Sequence, residues 1–356
     1  MKKLKMGIVG CGWISASHID AYKKNENTEV IALCDIDEPW LKCAKDIYGV
    51  PYIYTDYRDM LENKELDGIS ICLPTYLHAP VAIAALEKGI HVLCEKPMTT
   101  DAANAYAMRE AELKGGAQLM ISQNQRFDRS TQLLKSLHDE GAFGEVYQVR
   151  IGWRRALGCY PSPYDFRPNK MPYNHNWYNE KDKGGGVLRD LGMHLIDLAM
   201  HVLGFPKFEG AYASNYRKFI PPVPDPENHV FDAEDLSAGY IKLEGGIGVQ
   251  YELSLGSPIY EHALFTRIYG TKIGAHREMD TVYIVTATPD GGFTKEENTS
   301  FVGIPPQHPA HFFIDAIIKD RPVPIPSEQS IKVIEIIDAL YNSSEIMGRN
   351  NRLASL

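Results

Sequence analysis

The chain is 356 residues long, 44% hydrophobic and 23% charged. This is an ordinary globular composition, and the length exceeds the roughly 250–300 residues that one core fills, so two domains are expected. A formal net charge of −9 supplies no basic excess to neutralise phosphates and argues against nucleic acid as a partner.

No run reaches the roughly 18 apolar residues of a membrane span. Six scattered cysteines without a CxxC pair suit reduced thiols in a cytoplasm rather than a disulfide framework. Met1-Lys2-Lys3-Leu4-Lys5 has the basic look of a secretory signal, but the apolar run behind it is short and breaks at Gly10-Cys11-Gly12. Apolar runs at 5–9, 30–34, 52–54, 68–72, 91–94 and 119–122 read as strands, and 15–24, 38–48, 77–88 and 101–114 as helices between them. Continuous Val/Ile/Leu/Cys strands alternating with helices predict a doubly wound parallel sheet covered on both faces. A further helix is expected over 130–140. Beyond Gly144 strands follow one another at 146–153, 210–216, 237–243, 248–255, 265–270 and 281–288, joined by turns such as Glu244-Gly245-Gly246 and Asp290-Gly291-Gly292. That succession predicts a large, mostly antiparallel sheet, with one helix inserted at 186–203 and two amphipathic helices, 310–319 and 327–348, closing the chain. A Pro/Tyr/Asn-rich loop between Tyr160 and Tyr178 is long enough for a substrate-covering role.

The first strand runs into Gly10-Cys11-Gly12-Trp13-Ile14-Ser15, the G-x-G-x-x-G dinucleotide turn with Ser15 in the third place. Gly10 permits the tight turn, and Gly12 lets the amides there and at Trp13 and Ile14 approach a pyrophosphate. The helix N-terminus adds partial positive charge. Asp35, about 25 residues on, ends the second strand where an acid bonds the ribose 2′-hydroxyl. Asp35-Ile36-Asp37 carries no Arg or Lys for a 2′-phosphate, so NAD is favoured over NADP. Pro74, Thr75 and His78 follow the fourth strand, Glu95 and Lys96 the fifth, and Asn124 the sixth. All lie at carboxyl ends of strands, where open α/β sheets bind ligands, and all are cofactor candidates. Arg126, at the domain junction, either binds substrate or staples the two domains.

The stretch from Gly184-Gly185-Gly186 to Asp197 reads as a helix. At 100° per residue Asp190, His194, Asp197 and His201 fall within roughly 60° of arc, beside an apolar face of Leu188, Leu191, Leu195, Leu198 and Val202. Such a stripe is either a solvated face with i,i+4 charge pairs or an acid/base surface. Gly192 costs about 1 kcal/mol relative to alanine in a helix interior, and its missing side chain suits close approach to nicotinamide or substrate.

Gly10-Cys11-Gly12, Asp35, Glu95-Lys96-Pro97, Asn124-x-Arg126-Phe127 and Gly184-Gly185-Gly186-x-x-x-Asp190-x-Gly192-x-His194-x-x-Asp197 together resemble the Gfo/Idh/MocA oxidoreductase family, from Lys5 to about Gly348. Ser15 in the third glycine's place and Pro74-Thr75 for the more usual Thr-Pro are mild departures. The resemblance implies an N-terminal Rossmann domain, 1–123, and a C-terminal substrate-binding and oligomerisation domain, 124–356. The second is an α+β unit on an open, mostly antiparallel sheet, and the closing helices are free to pack back on the first domain. It further implies hydride transfer between nicotinamide and the secondary alcohol or ketone of a sugar, inositol or related polyol, in a cytoplasmic homodimer or homotetramer built through that sheet.

Lys96, Asp190 and His194 match the family's catalytic positions, with no metal. His194, with an ordinary pKa near 6.5, would take the alcohol proton; Lys96 would bond the same oxygen; Asp190 would accept from a substrate hydroxyl or hold the other two. Asp197 and His201 are expected to be structural. Arg126, Trp153, Arg155, Tyr164, Trp177, Asp190 and His194 are substrate-pocket candidates, with Tyr160, Arg154 and Arg167 in the same region and His311 a further one. Aromatics with polar groups suit a sugar ring; the arginines suit a carboxylate or phosphate, or salt bridges. Two other activities fit the same superfamily: NAD-using glycoside cleavage without net redox change, and dinucleotide sensing without catalysis.

Overall fold

The computed structural model describes residues 3–156, 176–218, 230, 232–260, 262–299 and 307–353; Tyr160, Tyr164 and Arg167 lie outside them. Six strands, β1 (Leu4–Val9), β2 (Thr28–Cys34), β3 (Tyr52–Tyr54), β4 (Gly68–Ile71), β5 (His91–Glu95) and β6 (Leu119–Ser122), alternate with helices. These are α1 (Trp13–Lys24), α2 (Glu38–Tyr48), the short α3 (Tyr57–Met60), α4 (His78–Leu86) and α5 (Ala102–Gly115). All strand pairs are parallel, in the order β3-β2-β1-β4-β5-β6. Met6, Ile8, Leu33 and Met120 pack with α1 and α2, whereas Val9, Ile71, Val92 and Cys94 pack with α4 and α5. Burial on both faces is what requires unbroken apolar strands. Helix ends follow local chemistry: Asp37 and Asp101 accept from the Trp40 and Asn104 amides at the starts of α2 and α5. Gly49 and Gly116, both at φ 67°, close the same helices. Strand order reverses between β1 and β4, and that reversal opens a crevice at their carboxyl ends.

A 3₁₀ turn, Asn124–Phe127, leads into α6 (Arg129–Asp139) and the second sheet. Its strands are β7 (Val146–Ala156), β8 (Phe208–Tyr216), β9 (Leu236–Leu243), β10 (Gly248–Ser257), β11 (Ala263–Gly270), β12 (Ile273–Glu278), β13 (Thr281–Ala287) and β14 (Phe293–Asn298), in the order β14-β13-β12-β11-β7-β10-β9-β8. Every pair is antiparallel except β7–β10. One face, with Val149, Ile151, Tyr251 and Leu253, is buried under α6, α7 (Met193–Val202) and α9 (Ser327–Leu353). The other face is open, and Tyr212, Tyr216 and Tyr240 stand exposed on it. Strands β12 and β14 escape the sequence reading because Ile-Gly-Ala-His-Arg-Glu and Phe-Thr-Lys-Glu-Glu-Asn offer little apolar alternation. Helix α8 (Pro309–Ile318) returns to the first domain, where Ala310, Phe313 and Ile314 join the core beside α1 and β6.

Two sequence expectations change. The segment before α7 is a π-turn, Leu188–Gly192, whose extra residue breaks the 100° spacing, so the four-residue polar stripe divides. Arg126 is not a substrate residue: its side chain is 2% exposed and bonds Asp197 through Nε at 2.7 Å and Nη2 at 2.6 Å. Nη1 donates to Gln329 on α9, and the guanidinium lies 5.0 Å from the Phe205 ring. His201 sits in the same cluster, its pKa pushed down to about 4 by burial and by the charge of Arg126.

Removing one member of a buried, bidentate pair strands the other charge, at a cost of about 3–5 kcal/mol, whereas replacing both by apolar residues costs far less. Asp197→Leu is therefore expected to lower the urea midpoint sharply, and Arg126→Met/Asp197→Leu to recover most of that loss. An Arg126→Met protein with an unchanged midpoint and a tenfold weaker substrate KM would return Arg126 to the cleft.

Candidate active site

The crevice is lined first by the turn after β1. Gly10 has φ 90°, and a Cβ there would meet the Cys72 carbonyl oxygen at 2.5 Å, so only glycine fits between the ends of β1 and β4. Gly12, at the N-cap of α1, has open space where its Cβ would be, and no side chain caps the helix. The first-turn amides are therefore left for an anion, as a pyrophosphate cradle requires. Ser15 is buried and donates to the Gly12 carbonyl at 2.6 Å. Asp35 braces the turn: Oδ2 accepts from the Cys11 amide at 2.7 Å and Oδ1 from the Asp37 amide at 2.9 Å. Each oxygen keeps a second lone pair, enough for a ribose hydroxyl. Trp13, 58% exposed, and Ile36, 93% exposed, offer apolar surface on either side. The residues present fit a dinucleotide.

At the far end of the crevice, Lys96 follows β5. Its Nζ donates to Asp190 Oδ1 at 2.8 Å and lies 3.4 Å from the Asp190 carbonyl oxygen. The two side chains are 17% and 16% exposed, so the pair is screened from water on most sides yet still reachable. Burial alone would raise the Asp190 pKa, but the charge and hydrogen bond of Lys96 pull it below the usual carboxylate range. His194 stands in the first turn of α7, half-buried, its ring centre 5.8 Å from that of Trp153. Nδ1 is buried and without a hydrogen-bond partner. Burial first, and then the positive charge of Lys96, push its pKa down to about 3. It is a neutral imidazole across the physiological range.

Glu95, a cofactor candidate from the sequence, and several groups the sequence did not single out, His18 and Glu234 among them, hold this constellation. Burial would raise the Glu95 pKa, but bonds to His18 and Ser122, with Lys96 alongside, bring it to about 2. His18, buried on α1, lies 2.8 Å from Glu95 Oε1 and 3.0 Å from Ser70 Oγ, and Ser70 Oγ in turn is 2.6 Å from the Tyr22 hydroxyl. His18 is a polar residue on the apolar face of α1, the one signal that could have found it. Glu234, fully buried, accepts from the Leu188 amide at 2.9 Å and from the Tyr341 hydroxyl at 2.8 Å. Gly186, at φ 106°, must be glycine because a Cβ would lie 2.5 Å from that carboxylate. Gly184 abuts Thr75 and Thr100 in the same way. The glycine run thus seats the π-turn against the first domain.

Other expected site residues divide. Asn124 is exposed at the mouth, Pro74 half-buried, and Thr75 buried beside Gly184. Trp153 flanks His194, and the Arg155 guanidinium lies 5.2 Å from the Trp153 ring centre. Trp177 stacks on Tyr178 at 3.8 Å and its carbonyl crowds Gly185; no contact brings it to His194 among the described residues. His78 is displaced from the cofactor set: it is 1% exposed, and its nitrogens lie 2.8 Å from the Pro97 and Leu73 carbonyls. It ties two strand-end loops together. Gly192 does not face the cleft either, since its Cβ would meet Leu253 Cδ1 at 2.9 Å; it lets the helix settle on β10. His311 lies on α8 with Lys24 as its charged neighbour, and no contact among the described residues joins it to Lys96, Asp190 or His194. Arg154 leans the other way, toward Glu252 at 3.7 Å.

Residues 4–123 match the model of an oxidoreductase family with an NAD-binding Rossmann fold, and residues 135–347 match that family's C-terminal alpha/beta domain. D-glucoside 3-dehydrogenase of Escherichia coli strain K12 is 27% identical over 352 residues, covering 96% of this chain and 95% of that one. D-apiose dehydrogenase of Paraburkholderia graminis is 28% identical over 205 residues, 57% of this chain, which spans about half (51%) of that protein's length. A levoglucosan dehydrogenase structure in complex with NADH superposes with a TM-score of 0.82 at 21% identity, over 97% of each chain. With both family domains matched in order along one chain, and a dinucleotide cradle facing the Lys96–Asp190–His194 cluster, the protein belongs to the Gfo/Idh/MocA family of NAD-binding oxidoreductases.

Proposed function

We propose that the chain is an NAD-dependent dehydrogenase that moves hydride between nicotinamide and a secondary alcohol of a sugar, inositol or related polyol. The observation that carries this reading is the 2.8 Å Lys96–Asp190 pair beside a neutral His194 at the open edge of the nucleotide crevice. Bound NAD would supply the hydride acceptor. The His194 imidazole accepts the alcohol proton, and the Lys96 ammonium donates to the same oxygen as negative charge develops there. Asp190 orients Lys96 and, through its remaining lone pairs, a neighbouring substrate hydroxyl. A base held near 3 is weak, so the chemistry depends on Lys96 lowering the alcohol's own pKa. Gly10, Gly12 and the α1 amides hold the pyrophosphate, and Asp35 the ribose. The open sheet face, with Tyr212, Tyr216 and Tyr240 uncovered, supports assembly into a homodimer or homotetramer. The scattered cysteines, free thiols at Cys11, Cys34, Cys43, Cys72 and Cys94, support a cytoplasmic location.

NADH formation at 340 nm across a panel of aldoses, cyclitols and polyols tests the reading; release of aglycone from glycosides without net NADH would replace it by glycoside cleavage. His194→Ala is expected to lower kcat by about 10²–10⁴, and Lys96→Met by a comparable factor, with NADH binding retained. Since the folded His194 is deprotonated above about pH 3, kcat/KM for oxidation should show no inflection near 6.5; an inflection there that vanishes in His194→Ala would overturn the assignment of a depressed pKa. Asp35→Ala removes a charge-assisted bond worth about 1.5–3 kcal/mol. NADH should then bind about tenfold or more weakly by fluorescence titration, with NADPH losing less. Tighter NADPH than NADH binding by the unaltered protein would contradict the role given to Asp35.

A further inference from the structure

Hydride transfer leaves one charged group of the cleft unused. Along β7 the inward-facing residues are Val149 and Ile151 in the core, then Trp153 beside His194, and then Arg155. Arg155 is half-buried, its guanidinium 5.2 Å from the Trp153 ring centre. Its charge reaches Asp190 and His194, lowering the pKa of each.

The ionic neighbours of the cleft are otherwise matched. Lys96 is paired with Asp190 at 2.8 Å, Glu95 with His18 at 2.8 Å, and Lys183 with Glu180 at 2.7 Å. Arg154 turns toward Glu252, and His194 is neutral. Among the described residues Arg155 has neither an ion-pair nor a hydrogen-bond partner. A guanidinium stacked on an indole is weakly hydrated and presents a rigid fork of N–H donors, the geometry that binds a planar oxyanion through two parallel bonds. One unmatched positive charge balances a monoanion; a phosphate dianion would need a second cation, and Lys96 is already committed to Asp190.

We propose that Arg155 receives a carboxylate of the substrate, so that the substrates are acidic sugars or polyols, of the uronate or aldonate kind, rather than neutral ones. The inference rests on the dehydrogenase reading and narrows it. The carboxylate lies on the Trp153 side of the ring, and the hydroxyl to be oxidised lies between His194 and Lys96. Binding of the anion also offsets the charge of Arg155, which adds to burial and to Lys96 in holding the imidazole below its ordinary range.

The test compares kcat/KM for glucuronate and gluconate with that for glucose, myo-inositol and glucose 6-phosphate, in the unaltered protein, Arg155→Gln and Arg155→Lys. Expected are a preference of about 10²-fold for the acids over the neutral sugars, collapse of that ratio in Arg155→Gln, mainly through KM for the acids, and its partial return in Arg155→Lys. Neutral sugars used as well as acids, a ratio unchanged by Arg155→Gln, or preference for the sugar phosphate would each overturn the proposal. Quenching of NADH fluorescence by the same compounds separates this inference from the one beneath it. Acids that bind in an Arg155-dependent way without turnover uphold the carboxylate site and overturn the dehydrogenase reading. Turnover of neutral sugars with no role for Arg155 does the reverse, and neither binding nor turnover of the acids overturns both.

Discussion

The Lys96–Asp190 ion pair is the contact on which the rest of the site depends. One partner ends a strand of the parallel sheet and the other sits in a π-turn of the second domain, so the pair exists only when the two domains are held in one register. Gly184 against Thr75 and Thr100 crosses the same boundary, and further contacts inside the second domain hold the turn in place. The glycines at 184–186 close on Thr75, Tyr178 and Glu234 with no room for a Cβ. Glu234 caps the first amide of the turn. One α7 turn later, Asp197 is locked to Arg126. The same short helical segment therefore makes two carboxylate–cation pairs with different environments. The pair at 2% exposure is structural, whereas the pair at 16–17% keeps an edge toward the cleft. Burial separates their roles, because the chemistry of the two pairs is the same.

Behind Lys96 the polar groups form a continuous line, Tyr22–Ser70–His18–Glu95, from the buried face of α1 to the end of β5. His18 belongs to the helix whose N-terminus would hold the pyrophosphate, and Glu95 precedes the lysine that would meet the substrate oxygen. Cofactor cradle and Lys96 are thus mechanically one piece. Buried polar lines of this kind are tolerated only when every member has a partner, and here each does.

The first domain was legible because its signals are local: apolar runs for strands, Asp at N-caps, glycine where φ is positive. Gly10, Asp35, Lys96, Asp190 and His194 lie where sequence order placed them. What sequence could not give depends on three-dimensional burial. Nothing in Asn124-Gln125-Arg126-Phe127 tells whether the arginine points out to solvent or inward to Asp197. His78 looks like a cleft residue at a strand end, yet its ring turns inward onto two carbonyls. The single residue added by the π-turn escapes any 3.6-residue template, and with it went the expectation that Asp190, His194, Asp197 and His201 share a face. Gly192 was read as making room for a ligand, when it makes room for Leu253. Strand β14, polar throughout after Phe293 and set at the sheet edge, carries no periodic signal to find.

Helix α8 comes from late in the chain, yet Ala310, Phe313 and Ile314 fill the core on the α1 side of the first sheet. Until α8 has been synthesised, one flank of the nucleotide domain exposes apolar surface at Ile19, Tyr22 and Met120. The dinucleotide domain therefore cannot be excised or grafted at the junction near residue 123 as an independent module. Its completion during translation waits on nearly the whole polypeptide, a reason for the nascent chain to need protection until its last helices emerge.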